Sequence, residues 1–359
     1  MRFLSLFSGI EAASVAWEKG LDWECAAVCE ILPFQSSVIK KHYPELRNFG
    51  DVTKITEDDV KSLGQLDVVI FGSPCQDMSI AGKRMGLEAE KEDTNHSSRL
   101  FFEGMRVFRL AQKHCGARFL LWENVPGALS SNEGKDFGRI LEEMVGISFG
   151  DRESIWGTEG VCFGGDSMCE WSVLDAQYFG LAARRKRVFV ILDTGNWRDR
   201  SPILLEQETM RGINSPGGRV TKTMAEKSFR NFTKTNKLTT IDIFDDVFDT
   251  VNDTVNDEDF VAALAATVIG RSHTYGPELG ISDVMWTLTA SDHHALFTKD
   301  GVRRMTPLEA ERLQGFPDFW TQTEKSTDTK RINAIGRSMA VPVIKWMGEQ
   351  IERAKKESE

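Results

Sequence analysis

The chain has 359 residues, 41% hydrophobic and 27% charged, with a formal net charge of −10 and six cysteines. That length suffices for one large core with a smaller appended domain. No segment approaches the roughly 20 apolar residues of a membrane span, and the start, MRFLSLFSGI, lacks the apolar core and small-residue cleavage pattern of a signal segment, so neither is expected. Six cysteines without a regular framework suit a reducing, cytoplasmic setting. The close pairs Cys25/Cys29 and Cys162/Cys169 lack a matching second pair, so no metal site is expected. The acidic total argues only weakly against a nucleic-acid partner, because phosphate contacts need a local basic patch rather than a basic total.

In chain order, Arg2–Phe7 reads as a short strand and the Ala-rich Gly9–Lys19 as a helix stopping at Gly20. Glu24–Glu30 predicts a second strand and Pro33–His42 a second helix. Leu66–Gly72 predicts a buried strand, Ser97–Cys115 a long amphipathic helix, Ala117–Val125 another buried strand and Gly134–Val145 a helix. Trp171–Phe179 and Arg185–Asp193 read as the last strands of this part. The strand–helix alternation predicts an α/β fold, a doubly wound, mostly parallel sheet with helices on both faces, whose ligands bind at the carboxyl ends of the strands.

Beyond Asp193 the composition changes. Residues 211–237 carry seven Lys/Arg and one Glu, and 242–259 carry eight Asp/Glu and no base. The acidic run reads as a solvated surface or mobile loop. Strand-like pieces return at Phe260–Arg271 and Asp283–Leu288. Residues 1–192 are expected to form a catalytic domain, 193–327 a smaller irregular one, and 328–359, with a helix over Pro342–Lys356, a segment returning to the first domain. Asp292-His293-His294 reads as a surface loop rather than a metal site.

Three motifs stand at or just beyond the ends of predicted strands, and a fourth enters one. LFSGIEAA at 6–13 places a glycine turn before a helix, and Glu30 ends the next strand; an acid there accepts bonds from ribose hydroxyls, although the pair alone fits a structural turn equally well. GSPCQDMSIAG at 72–82 puts Cys75 at a strand mouth, as a nucleophile or a small buried side chain. WENVPG at 122–127 puts Glu123 at the sheet edge, either in solvent or as a partly buried acid able to donate to a base ring nitrogen. In ARRKRVFV at 183–190, alternation sets Arg185 and Arg187 on one face and Arg184 and Lys186 on the other.

Together and in order, these pieces resemble the DNA (cytosine-5)-methyltransferase family, in wording most similar to its phage and prophage branch. The resemblance rests on FSG, the acid after strand two, GDVT at 50–53, PCQ, ENV, RRKR, RRMTPLEAERLQGFP at 303–317 and IGRSMAVPV at 335–343, and spans nearly the whole chain except 193–300. It implies S-adenosyl-L-methionine as cofactor, with Phe7, Ser8 and Gly9 lining its pocket, Glu30 on the ribose, Asp51 on the adenine amino group, Pro74 and Leu100 in contact, and Gly336 and Ser338 closing it. It implies Cys75 as nucleophile, Glu123 on the cytosine N3/N4 edge, and Arg185 and Arg187 holding the base. Arg304, Thr306 and Glu309 would brace the variable domain.

The same resemblance implies duplex DNA as partner, a flipped cytosine as substrate and restriction–modification or phage DNA protection as setting. A cognate restriction endonuclease is a possible companion, and the chain is expected to act as a monomer. Gln76, Lys83 and Arg84 beyond the Cys75 loop, and Arg219, Lys222 and Arg230 in the basic stretch, are the candidate DNA contacts.

Three positions depart from the family pattern. Glu11 stands where a second glycine is common, and would repel the cofactor carboxylate unless it points away. Ala183 replaces a Gln, and Arg337 replaces an Asn, where it would pair with that carboxylate or with Glu11. Rival readings are a catalytically impaired DNA-binding relative, an RNA cytosine methyltransferase on the same fold, and a nicotinamide oxidoreductase, which would want a GxGxxG that FSGIEAA does not supply.

Overall fold

A computed structural model describes residues 1–74, 100–149, 155–205, the strands 262–266, 280–282 and 293–298, and 301–359. The chain divides into two compact units. The first comprises Met1–Asp175, Lys186–Thr209 and Ser338–Glu359; the second comprises Ala176–Arg185 and Met210–Arg337.

The first unit is built on β1 (Arg2–Leu6), α1 (Ala12–Leu21), β2 (Glu24–Cys29), α2 (Pro33–His42), α3 (Glu57–Lys61), β3 (Val68–Phe71), α4 (Leu100–Cys115), β4 (Phe119–Asn124), α5 (Lys135–Val145), β5 (Glu159–Gly164), β6 (Ser167–Asp175) and β7 (Lys186–Asp193). Its seven-stranded sheet runs β2-β1-β3-β4-β7-β6-β5. The pairs β1–β2, β1–β3 and β3–β4 are parallel, and β4–β7, β6–β7 and β5–β6 antiparallel. The doubly wound half is therefore joined to an antiparallel half. The physical reason is connection length: a hairpin turns β5 straight into β6, whereas parallel neighbours need a crossover such as α1 or α4. β1 and β3 lie side by side although β2 intervenes in sequence, so the chain reverses its direction of travel there, at the switch point where such sheets bind ligands.

Strand alternation sorts the core. Leu4, Leu6, Val69, Phe71, Leu120, Trp122, Val188 and Val190 pack with Phe101, Met105 and Phe108 of α4 and Phe137, Ile140 and Leu141 of α5. The other face carries Phe3, whose ring meets Trp17 of α1 edge-on at 4.9 Å. The C-terminal helix of the chain, Val341–Glu357, belongs to this unit; Trp17 Nε1 donates to its Ile344 carbonyl at 2.8 Å.

The second unit contains β8 (Ala262–Ala266), β9 (Gly280–Ser282), β10 (His293–Thr298) and β11 (Gly301–Arg304), an antiparallel sheet in the order β11-β10-β8-β9. Helices α6 (Pro307–Gln314) and α7 (Asp328–Arg337) follow, which makes the C-terminal helix α8. TPLEAERLQG starts and stops α6 by itself: Thr306 and Glu309 form a capping box, Pro307 opens the helix, and Gly315 closes it in the left-handed region. Fully buried Glu311 accepts from the Thr321 amide and hydroxyl and from Arg331 Nη2, which ties α6 to α7.

Two expectations change. His293 and His294 begin β10 rather than lying in a loop, because the apolar run HHALFT supplies a strand between β8 and β11. β5 had no counterpart in the sequence reading, since its partly exposed, glycine-bounded EGVCFG has no clear apolar alternation.

Candidate active site

The loops after β1, β2, β3 and β4 and the start of β7 share one edge of the sheet, because β7 runs opposite to β4 and pairs Val188 with Asn124. In the β1 loop, Phe7, Gly9 and Glu11 have φ of 50°, 57° and 64°. Such backbone is costly for an aromatic residue and marks a locally over-determined turn. Ser8 fixes it: its hydroxyl donates to the Ser5 carbonyl at 3.0 Å and accepts the Cys29 amide at 3.1 Å. A Cβ built on Gly9 would meet nothing within 4 Å, so the turn opens onto space.

Glu30, at the end of β2, is 7% exposed. One carboxylate oxygen accepts the Gly9 amide and the other the Leu32 amide, both at 2.7 Å. Asp51 caps the turn Val52–Lys54 through Thr53; the Thr53 hydroxyl and amide hold its carboxyl below the usual range. Beside it, Gly50 has φ 75° and open space where a Cβ would stand. Phe7 packs on Phe71 with ring centroids 6.1 Å apart. This edge thus offers acids for hydroxyl and amino groups around open space, a donor set that fits S-adenosyl-L-methionine.

One pair of residues here escaped the sequence reading. Ile31 is 65% exposed and Leu32 40%, large apolar side chains standing free directly after Glu30. The signal was present: two apolar residues continuing past a strand-ending acid, where a turn is normally polar.

On the β3–β4 side, Glu123 Oε1 lies 3.1 Å from Arg187 Nε, with both side chains about 85% removed from solvent. Arg187 also donates to the Lys186 carbonyl at 2.7 Å. Gly72 leaves no room beside them: its Cβ would stand 3.0 Å from both Glu123 Oε2 and Met339 Cε. Ser73 is buried and Pro74 half-buried. Leu100 starts α4, half-buried against the core, and Ser338 is buried in the first unit. Burial pushes the thiols of Cys25, Cys115 and Cys169 up, and that of Cys29 to about 12, against a nucleophilic role for these four.

Arg185 precedes β7 and belongs to the second unit; it is buried, and its Nη1 donates to the Gly336 carbonyl at 3.2 Å. Arg184 and Lys186 are exposed, as alternation required. Arg304 is exposed, and Thr306 and Glu309 cap α6. Glu11 points away from the loop opening: it is fully buried, caps α1 through the Ser14 amide at 3.0 Å and accepts the Ser5 hydroxyl at 2.9 Å. Both its oxygens are engaged inside the first unit, by Ser5 and Ser14; Arg337 is exposed at the end of α7. Cys75, Gln76, Lys83, Arg84, Arg219, Lys222 and Arg230 lie outside the described residues, and no group of metal-ligating side chains occurs among the described ones.

The model of the family "C-5 cytosine-specific DNA methylase" matches residues 1–353. An Escherichia phage P1 protein named DNA N-6-adenine-methyltransferase is 29% identical over 98% of this chain and 61% of its own length. The Type II methyltransferase M.HpaII of Haemophilus parainfluenzae is 27% identical, covering 97% of this chain and 88% of its own length. The chain spans only 44% of the Neisseria gonorrhoeae methyltransferase M.NgoBV, to which it is 30% identical over the shared part. Among solved structures, the S. pombe Dnmt2 methyltransferase superposes with a TM-score of 0.62 at 15% identity, over 98% of both chains. A putative DNA modification methyltransferase from an E. coli prophage gives 0.54 at 18%, over 99% of both. With the family model spanning the loops of the site and all the motifs from FSG to IGRS, the chain belongs to the C-5 cytosine-specific DNA methylases.

Proposed function

We propose that this protein transfers a methyl group from S-adenosyl-L-methionine to C5 of a cytosine flipped out of duplex DNA. The observation that carries the reading is the largely desolvated Glu123–Arg187 pair, set beside the chain that leaves β3 toward Cys75. Glu30, Asp51, Phe7, Ser8 and Gly9, with the exposed Ile31, would hold the cofactor, and Pro74, Leu100 and Ser338 would complete its pocket. When bound, it supplies an electrophilic methyl group.

Cytosine C5 is a poor nucleophile. In this reading the Cys75 thiolate adds at C6, which moves electron density to C5. Glu123, oriented by Arg187, hydrogen-bonds the N3 edge and favours that addition; Arg185 completes the hold on the base. C5 then takes the methyl group, loses its proton, and Cys75 leaves. A stacked base cannot reach such a site, so the target is flipped. The exposed Arg184 and Lys186, together with Gln76, Lys83 and Arg84, would meet phosphate. The second unit, with Arg219, Lys222 and Arg230, would read sequence.

The chain would act as a monomer in the cytoplasm of a bacterial or phage-infected cell, in a restriction–modification or DNA-protection setting with a restriction endonuclease as companion. No helix among the described residues is long and apolar enough to cross a membrane.

The test is transfer of labelled methyl groups to mixed-sequence duplex DNA and, separately, to tRNA, beside Cys75→Ser, with nucleoside analysis of the products. Label in 5-methylcytosine that disappears in the variant supports the reading. Label in N6-methyladenine, the product named for the phage P1 relative, would replace it, and label in tRNA alone would move the substrate to RNA.

A further inference from the structure

The ladder between β3 and β4 ends at the pair Phe71–Trp122. The next rungs set Gly72 beside Glu123 and Ser73 beside Asn124, where β3 has already ended. Two side-chain bonds replace the ladder there. Trp122 Nε1 donates to Ser73 Oγ at 3.1 Å, and Asn124 Nδ2 donates to the Ser73 carbonyl at 3.4 Å.

All three residues are buried, at 0%, 2% and 5% exposure for Trp122, Asn124 and Ser73. Trp122 and Asn124 are the residues on either side of Glu123, and the pleat turns them to the opposite face from its carboxylate. The Trp122 ring is wedged against Phe101 and Phe137, at centroid distances of 5.6 and 6.4 Å, so the indole cannot swing to seek another acceptor. A buried indole N–H needs an acceptor, and the Ser73 hydroxyl provides it. On the other side a Cβ added at Gly72 would stand 3.0 Å from Glu123 Oε2 and Met339 Cε, so a larger residue there would press on the acid. The exit of β3 is thus tied to β4 through Ser73.

We propose that Ser73 is a positioning residue: its hydroxyl and carbonyl lock the exit of β3 to the strand that carries Glu123, and so set where the chain departs toward Cys75 relative to the acid. The inference rests on the function proposed above. Alanine removes the acceptor and leaves the bulk of the strand end unchanged. Threonine keeps the hydroxyl.

The experiment uses the full chain and compares Ser73→Ala, Ser73→Thr, Trp122→Phe and the Ser73→Ala/Trp122→Phe double variant. It reads kcat and KM for methyl transfer to duplex DNA, the Kd for S-adenosyl-L-methionine by calorimetry, and the rate at which iodoacetamide labels Cys75. Ser73→Ala should lower kcat at least tenfold with the cofactor Kd changed less than twofold. Ser73→Thr should recover most of the loss. The double variant should be no worse than Trp122→Phe alone, because both changes break the same bond. A kcat for Ser73→Ala within twofold of the parent overturns the proposal. So does a loss matched by an equal loss of cofactor affinity, or a threonine variant no better than the alanine one. If the parent transfers no methyl group, the proposed function fails instead. The lock is then judged by Cys75 labelling, which should change at least fivefold in Ser73→Ala and return in Ser73→Thr; an unchanged rate overturns it.

Discussion

Glu11 shows how one side chain ties the turn after β1 to the pH of the solution. Its carboxyl is fully buried, and that burial pushes its pKa to about 7, against the lowering effect of the bonds from Ser5 and Ser14. Glu18, on the same helix, raises it further. The folded state therefore holds a proton on Glu11 that the unfolded chain releases between about pH 4.5 and 7. Stability falls as pH rises through that window, and the full cost is present above it. At about 1.36 kcal/mol per pH unit, the cost by pH 8 is on the order of 3 kcal/mol. Glu11→Gln cannot ionise, and its amide can still accept from Ser14 and donate to Ser5. Urea unfolding at pH 5 and pH 8 should show the parent losing roughly 3 kcal/mol relative to Glu11→Gln; a difference that does not vary with pH would mean the carboxyl ionises freely in the fold.

At the scale of elements, α1 and α8 meet through a contact only glycine permits. A Cβ on Gly348 would stand 2.4 Å from Trp17 Nε1 and 2.6 Å from Leu21 Cδ1. Trp17 cannot give way, because its N–H is bonded to the Ile344 carbonyl and its ring is packed on Phe3. Gly348→Ala gains about 1 kcal/mol of helix propensity but incurs an overpacking cost of roughly 1–3 kcal/mol. The balance is a net destabilisation, read as a lower denaturant midpoint at unchanged slope; a higher midpoint would mean that α8 slides on α1 to make room. This contact also shows what the sequence could not reveal. The pattern of VPVIKWMGEQIERAKKE predicts the helix, and the helix forms over Val341–Glu357. No local pattern names its partner, 327 residues away where Trp17 meets Ile344, because side-chain fit is settled only when the two surfaces meet. The site divides in the same way. Glu30, Glu123 and Arg187 were legible from the ordered set of motifs and not one by one, since a charged residue at a strand end alone fits a plain turn or a solvated surface equally well. Ser73 was not: a serine before a proline reads as turn chemistry, and only its approach to the Trp122 indole gives it another meaning.

For the whole molecule, the first unit is assembled from three stretches of chain separated by two excursions into the second. The last stretch, 338–359, closes it. Val341, Val343, Ile344, Met347 and Ile351 of α8 are all buried there. At about 1.5–3 kcal/mol for each large side chain, their burial contributes on the order of 10 kcal/mol, an upper figure because an unfolded chain hides part of the same surface. Polar ties follow the same route: Lys355 pairs with Asp67 at 2.8 Å, and Arg118 donates to the Ser358 hydroxyl at 2.8 Å. A folded domain has a total margin of about 5–15 kcal/mol, so α8 is comparable to the stability of the whole unit. A chain ending at Arg337 should therefore lose the first unit cooperatively, including β1 and the turn after it, although every motif from FSG to RLQGFP remains in it. The expected result is loss of the sharp thermal transition and of cofactor binding, restored on adding a peptide of residues 338–359 in excess over the truncated chain. A truncated chain that melts sharply and binds S-adenosyl-L-methionine unaided would show that β1–β4 hold the site without the returning helix.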